Sequence, residues 1–214
     1  MIRIVCLLIG YIFGLFQTSY FLGKAHHMDI REHGSGNAGT TNALRTMGKK
    51  AAAITLLCDC LKCVLAVWLV RCLFRENHAD ILPLLELYGA AGCILGHNFP
   101  VTMGFKGGKG IAASVGMLLA FDIRLFLIAS VVFFTLFFLF RYVSLCSIAS
   151  YLVTMAFTVV FGQMGHYALE NKERTELYIV MGALTLLAIY RHRENIRRLL
   201  TGAESKVTFS KQEE

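Results

Sequence analysis

Three stretches of the chain collect residue types that bind anions. The first, His33–Lys50, reads HGSGNAGTTNALRTMGKK. Gly34, Gly36 and Gly39 free the backbone for unusual dihedrals and close approach. Successive N–H groups in such a loop form an anion-binding nest. Ser35, Asn37, Thr40, Thr41 and Asn42 add neutral donors, and Arg45 offers a fork for bidentate phosphate contact. A helix beginning near Thr40 would aim its N-terminal dipole at the same place. An ordinary glycine-rich turn is the plainer explanation. The coincidence of small donors with an arginine favours an anion site.

The second stretch, Gly96–Gly110, reads GHNFPVTMGFKGGKG. Lys106 and Lys109 flank Gly107 and Gly108 just before a helix expected from Ile111, which suits a phosphate. Gly110 follows Lys109 where a nucleotide-binding P-loop requires Ser or Thr, so an ordinary P-loop is excluded. Lysines that only meet lipid headgroups are the plainer alternative. His97 could act as an acid or base, but a lone histidine at the end of an apolar run is more often structural. The third stretch, Tyr190–Gly202, reads YRHRENIRRLLTG. In a helix, Arg193, Arg197 and Leu200 share one face, and His192, Asn195 and Leu199 another. A basic juxtamembrane helix that senses anionic lipid fits this stretch equally well.

Familiar hydrolytic chemistry is missing. The sequence has no G-x-S-x-G nucleophile elbow, no H-E-x-x-H metal motif, and no histidine followed five positions later by aspartate. Cys60 and Cys63 have C-x-x-C spacing, but no second pair completes a zinc site. The seven cysteines fall in apolar runs and read as small apolar helix residues. Taken alone, these residues support phosphate handling beside a membrane and do not fix the reaction.

The elements that carry the three stretches are apolar. The 214 residues are 56% hydrophobic and 16% charged, against about a quarter charged in soluble domains. A soluble helical protein would need more polar surface than this. The net charge of +7 is read as cytoplasmic loops beside anionic lipid and as anion sites, and no nucleic-acid module is present. Seven apolar runs are bounded by charge: Ile4–Leu22, Ala51–Leu73, Ile81–Ile94, Ile111–Phe121, Leu125–Phe140, Tyr142–Phe161 and Leu177–Tyr190. The first reads as a retained helix rather than a cleaved signal. Seven crossings with the N-terminus outside and the C-terminus inside place 14 of the 21 basic residues on the cytoplasmic side, as the positive-inside rule requires. The three anion-binding stretches then share the cytoplasmic face, as a composite site needs. The expected protein is an all-α integral membrane protein with seven transmembrane helices. Its single domain covers residues 1–202 and is followed by a polar, frayed tail, 203–214. Within the second run Asp59 and Lys62 lie three apart on one helical face, and an ion pair that fixes helix packing is expected. Arg141 and Ser144 open the sixth run, so Ser144 can face the site.

These motifs resemble one family: the acyl-phosphate-dependent glycerol-3-phosphate acyltransferases. The resemblance rests on G-S-G-N-x-G-x-T-N-x-x-R at Gly34–Arg45, on G-H-x-F-P and F-K-G-G-K-G within Gly96–Gly110, and on H-R-E-N-I-x-R-L at His192–Leu199. D-x-x-K at Asp59–Lys62 and R-Y-V-S-L at Arg141–Leu145 support it. Cys63 departs from the family, which often has Gly there, and this touches helix packing rather than activity. The resemblance implies transfer of an acyl group from acyl phosphate to the sn-1 hydroxyl of glycerol 3-phosphate, the first step of phospholipid biosynthesis, with no cofactor and no metal. It implies a multi-pass protein of the bacterial inner membrane with lipid around it, and an acyl-phosphate-producing enzyme as a partner. By the same resemblance, Arg45 and Lys109 clamp phosphates and Ser35 and Asn37 orient substrates. His192 and Asn195 complete the glycerol-3-phosphate pocket, and Gly34, Gly36, Thr41 and Asn42 are further substrate-binding residues. Ser144 and the Gly107 and Gly108 amides hold the acyl-phosphate head. A phosphate transporter and a non-catalytic lipid-binding protein are the rivals. The first would gather polar groups at the membrane midplane, and the second leaves three anion-binding stretches without a task.

Overall fold

The computed structural model describes residues 1–207, and no strand occurs among them. The described residues form nine α-helices, in order: α1 Ile2–Gly14, α2 Thr18–Ala25, α3 Thr40–Phe74, α4 Leu82–Asn98, α5 Ile111–Phe121, α6 Ile123–Phe140, α7 Val143–Gln163, α8 Asn171–Arg191 and α9 Arg193–Leu200. Among the described residues five segments are long and apolar enough to cross a membrane: 2–25, 40–74, 79–103, 123–140 and 143–163. α5 is apolar but has only 11 residues. α8 has the length, yet its first turns carry Lys172, Glu173, Arg174 and Glu176.

Two breaks shape the first half of the chain, one within an apolar run and one just before the next. The first apolar run separates into α1 and α2 at residues 15–17, where Gln17 is extended and buried. Its amide donates to the carbonyls of Gly14 and His97, which recovers part of the backbone hydrogen bonding lost at the break. The second break is at Gly48 within α3, where φ is 83°. Only glycine adopts that conformation without strain. It lets Thr40–Met47 leave the axis of the long helix.

Glycine also sets the closest packing. α1 and α4 meet backbone to backbone, because Gly10 and Gly14 face Gly89, Gly92 and Gly96. A Cβ on Gly10 would lie 1.8 Å from the Gly89 carbonyl oxygen, and one on Gly92 would lie 1.9 Å from that of Leu7. Such small-xxx-small contacts are how helices approach in a solvent that offers no hydrophobic drive. The expected Asp59–Lys62 pair forms at 2.9 Å and is buried. Two bidentate pairs, Arg3–Glu176 and Arg71–Glu86, tie helices at the opposite end of the bundle. The α3, α5, α7 and α9 N-termini and the α4 and α8 C-termini meet at one end of the bundle, where the three glycine-rich and basic stretches converge.

Candidate active site

The second stretch is shaped by its carbonyls and amides before any ligand is considered. The Gly107 N–H donates to the Asn98 carbonyl at 3.2 Å, and the Gly108 N–H to that of His97 at 3.1 Å. The Arg191 guanidinium, at the end of α8, donates to the carbonyls of both glycines and stacks over Phe99. The expectation that these two amides hold a phosphate head is therefore corrected. Both are already committed inward, and the residues are glycine because a Cβ at Gly108 would lie 2.1 Å from His97 Nε2. The first turn of α5, whose amides a helix leaves without intrahelical partners, borders the cavity instead, with Gly110 as its N-cap at φ 80°.

The first stretch shows the same division between shape and contact. Asn42 is buried; it donates to the Ile30 and His33 carbonyls and accepts from the Ser35 N–H at 2.8 Å. Its amide is spent on loop shape, which corrects its expected role as a substrate donor. Gly34 and Gly36 have φ of 61° and 68° and do not line the cavity; a Cβ on Gly34 would strike Asn42 Oδ1 at 2.3 Å. They also shape the loop. Ser35, Asn37, Thr41 and Arg45 do face the cavity, and α3 begins at Thr40 as expected, with its N-terminus toward the same space.

The third stretch completes the ring. His192 lies between α8 and α9, and Asn195 is one turn further on. His192 Nδ1 lies 2.8 Å from the Ala188 carbonyl. In the neutral ring Nδ1–H donates there and Nε2 is left as an acceptor. Burial, helped by Lys109, outweighs the Ala188 bond and lowers His192 to about 4. The Lys109 ammonium donates to Asn195 Oδ1. Burial lowers it to about 8, together with Arg198, Arg191 and Arg45 and against the pull of Glu204. Arg45 has no ion-pair partner among the described residues. Arg193 and Arg197 point to solvent.

Glu204 was not visible in the sequence. Its carboxylate accepts from Ser144 Oγ at 2.8 Å, Asn195 Nδ2 at 2.6 Å and Arg198 Nε at 2.8 Å. Burial pushes this carboxyl up, but the three hydrogen bonds outweigh it and hold the group below its ordinary value. The expected fraying from residue 203 is thus corrected as far as 207, since Glu204 is anchored and the Val207 N–H donates to Arg141. Residues 208–214 lie outside the described residues. Through Glu204 the Asn195 amide is held with its oxygen toward Lys109, so Glu204→Gln is expected to lower kcat/KM by about tenfold, the worth of one weakened charge-assisted bond. Steady-state rates on the purified variant check this.

Ser35, Asn37, Thr41, Arg45, Lys109, Ser144, His192, Asn195 and Glu204 open on one cavity of about 760 Å³. Its mouth holds the polar side chains. Below, it runs on as a largely apolar trough lined by Leu56, Leu57 and Cys60 of α3, Val115 and Leu118 of α5, Phe126, Phe133 and Phe137 of α6, and Val143 and Tyr151 of α7. From Val143 to Thr154 the α7 wall spans about 16 Å at helical rise. The architecture is that of an integral membrane enzyme acting between a soluble anion and a lipid chain.

The comparisons with known proteins agree with this class. The family model for glycerol-3-phosphate acyltransferase matches residues 4–202. The glycerol-3-phosphate acyltransferase of Alkaliphilus metalliredigens is 42% identical, covering 97% of each chain. Two crystal structures of PlsY (YgiH), an integral membrane glycerol 3-phosphate acyltransferase, superpose closely. The glycerol 3-phosphate form has a TM-score of 0.83 at 31% identity, over 96% of both chains. The lysophosphatidic acid form has 0.80 at 30%, over 96% and 95%. The chain belongs to the glycerol-3-phosphate acyltransferase family.

Proposed function

We propose that the acyl donor is an acyl phosphate and that the acyl group passes directly to the sn-1 hydroxyl of glycerol 3-phosphate, giving lysophosphatidic acid and inorganic phosphate. The observation that carries this reading is the single cavity that joins a cationic mouth to an apolar trough. Two helix N-termini, Arg45 and Lys109 surround a space suited to two phosphates that repel each other, and the trough suits the acyl chain. An acyl phosphate already carries a good leaving group, so the enzyme's task is to position the reactants and stabilise charge. Glycerol 3-phosphate appears in one related structure and lysophosphatidic acid in the other, which supports the same substrate and product here. Seven crossings with the N-terminus outside put the mouth at the cytoplasmic face of the bacterial inner membrane. Short α5 accommodates this by packing within the bundle, and the charged first turns of α8 stand at the bundle's outer end, ahead of its apolar remainder.

Arg45 and Lys109 clamp the phosphates, and Ser35, Asn37 and Thr41 orient the glycerol moiety. Ser144 and Asn195, fixed by Glu204, hold the Lys109 side of the mouth. The hydroxyl proton goes to a substrate phosphate oxygen rather than to His192. A phosphate monoester has its second pKa near 6, whereas His192 lies at about 4 and is the weaker base. Its Nε2 lone pair accepts instead from the neighbouring sn-2 hydroxyl, which orients the glycerol backbone and leaves the sn-1 proton to the phosphate. Purified protein in detergent, given acyl phosphate and glycerol 3-phosphate, should release phosphate and lysophosphatidic acid. Turnover with acyl-CoA alone would overturn the donor assignment, and a trapped acyl-Ser35 would overturn direct transfer.

The pH profile separates these roles. Lys109 must be charged to hold phosphate, so kcat/KM falls as pH rises through about 8. Lys109→Arg should move that limb beyond the measurable range, because the guanidinium stays charged. The acid limb near 6 belongs to the substrate phosphate and should survive His192→Ala, which lowers the rate by only about tenfold, the worth of one orienting hydrogen bond. Loss of the acid limb in that variant would make His192 the base.

A further inference from the structure

One polar cluster at the cavity wall has no part in the phosphate binding described above. His97, in the last turn of α4, is 2% exposed, and its ring lines the cavity. Its Nδ1 lies 2.9 Å from Lys62 Nζ. An ammonium only donates. Lys62 Nζ is also 2.9 Å from the Asp59 carboxylate and 2.6 Å from the Phe16 carbonyl, so three acceptors match its three protons. Asp59 balances the charge and accepts from Thr18 Oγ1 at 3.0 Å. Asp59 Oδ2 is 3.9 Å from His97 Nδ1, beyond hydrogen-bond reach. A second ring proton would therefore gain no bond there and would point at the ammonium. The single ring proton resides on Nε2.

The surroundings leave that proton uncovered. The His97 carbonyl accepts from Gln17 and from the Gly108 N–H, both at 3.1 Å, so the backbone on which the ring hangs is fixed. Gly108 passes directly over the Nε2 edge, and any Cβ there would fill the space. Nε2 has no hydrogen-bond partner among the described residues. The cluster also stands where the two halves of the cavity meet. Gly108 leads straight into Lys109 at the mouth, while Asp59 is followed by Cys60 in the trough wall. The atom of an acyl phosphate that belongs at this junction is its carbonyl.

We propose that His97 Nε2–H is the hydrogen-bond donor to the acyl carbonyl oxygen, and that Lys62 is a positioning residue that fixes the tautomer. This rests on the reading that acyl phosphate occupies the cavity. The glycerol hydroxyl oxygen forms a bond to the carbonyl carbon while its proton passes to a phosphate oxygen. The carbonyl π pair moves onto oxygen, where Nε2–H stabilises the charge. As the carbonyl reforms, the bond from carbon to the phosphate oxygen breaks, and phosphate leaves with that electron pair. A donor aimed at the developing oxyanion acts on the transition state more than on the bound substrate.

Three variants and a spectrum test it. In His97→Asn the amide oxygen can take over the Lys62 bond, but no donor reaches the Nε2 position; in His97→Gln the amide nitrogen can. His97→Asn should lose about 10²–10³-fold in kcat with KM for both substrates nearly unchanged, while His97→Gln recovers most of the rate. Nitrogen-15 spectra of histidine-labelled protein in detergent should show His97 protonated at Nε2 alone, and Lys62→Met should disturb that signal. An active wild type with an unimpaired His97→Asn overturns the histidine's role alone. So does a ring proton on Nδ1, or equal losses in Asn and Gln accompanied by a lowered thermal midpoint. A wild type inactive with acyl phosphate overturns the donor reading and this one together.

Discussion

Lys109→Ala is expected to lower kcat/KM by about 10²–10³-fold, the usual worth of one preorganised charged donor, with little change in thermal midpoint. The side chain is half-buried at the head of α5 and makes one described hydrogen bond, to Asn195. Its removal opens no core cavity. The lost ammonium leaves Arg45, Arg198 and the α5 N-terminus to hold two phosphates, and these cannot replace a charge placed between the mouth and the trough. The substitution also frees Asn195 Oδ1, but Glu204 still holds the other end of that amide, so the α9 wall keeps its place. Steady-state rates with both substrates varied provide the check, beside a melting curve in the same detergent. A variant that keeps near-full rate would remove Lys109 from the clamp and leave a lysine that merely greets lipid headgroups. The rival transporter reading separates here as well, since it predicts uptake into vesicles without phosphate release.

Much of this site was legible in residue types and spacing. Helix starts at Thr40 and Ile111, the Asp59–Lys62 pair and the meeting of three distant stretches all follow from apolar runs, charge and glycine placement. What stayed hidden has a common cause: a sequence shows which groups exist, not which way a peptide faces. Gly107 and Gly108 look like phosphate-binding amides, yet their N–H groups turn toward His97 and Asn98 because Arg191 holds their carbonyls on the other side. Asn42 looks like a donor to substrate but is consumed by Ile30, His33 and Ser35. Glu204 follows a helix-ending glycine in a polar tail, with no periodicity to mark it, and only the fold brings it to Ser144 and Asn195. His97 stands alone in the sequence because Lys62 and Asp59, which define its tautomer, lie 35 and 38 positions away on another helix.

Gly92→Val is expected to prevent the bundle from closing. A Cβ at Gly92 would lie 1.9 Å from the Leu7 carbonyl oxygen and 2.8 Å from its carbon, with the Tyr11 nitrogen at 2.9 Å. Every one of these atoms is backbone, so no rotamer change relieves the clash and α1 must move away from α4. The contact repeats along the pair, since Gly96 meets the Tyr11 carbonyl and Gly14 meets that of Cys93. Separating the helices at Gly92 therefore opens the whole seam. The cost exceeds the roughly 1–3 kcal/mol of ordinary core overpacking, because dispersion across that seam is what holds helices together in lipid. Activity should vanish with the fold. α4 carries His97 and Asn98, which anchor the lysine-bearing loop, and Tyr11 of α1 donates to the Phe99 carbonyl at 2.8 Å. Gly182→Ala provides the contrast, since its Cβ would meet only Met155 Cε at 3.8 Å. It should leave both the thermal midpoint and the rate unchanged. Equal behaviour of the two variants would mean that glycine at Gly92 is incidental and that the approach of α1 to α4 is not what fixes the loop over the cavity.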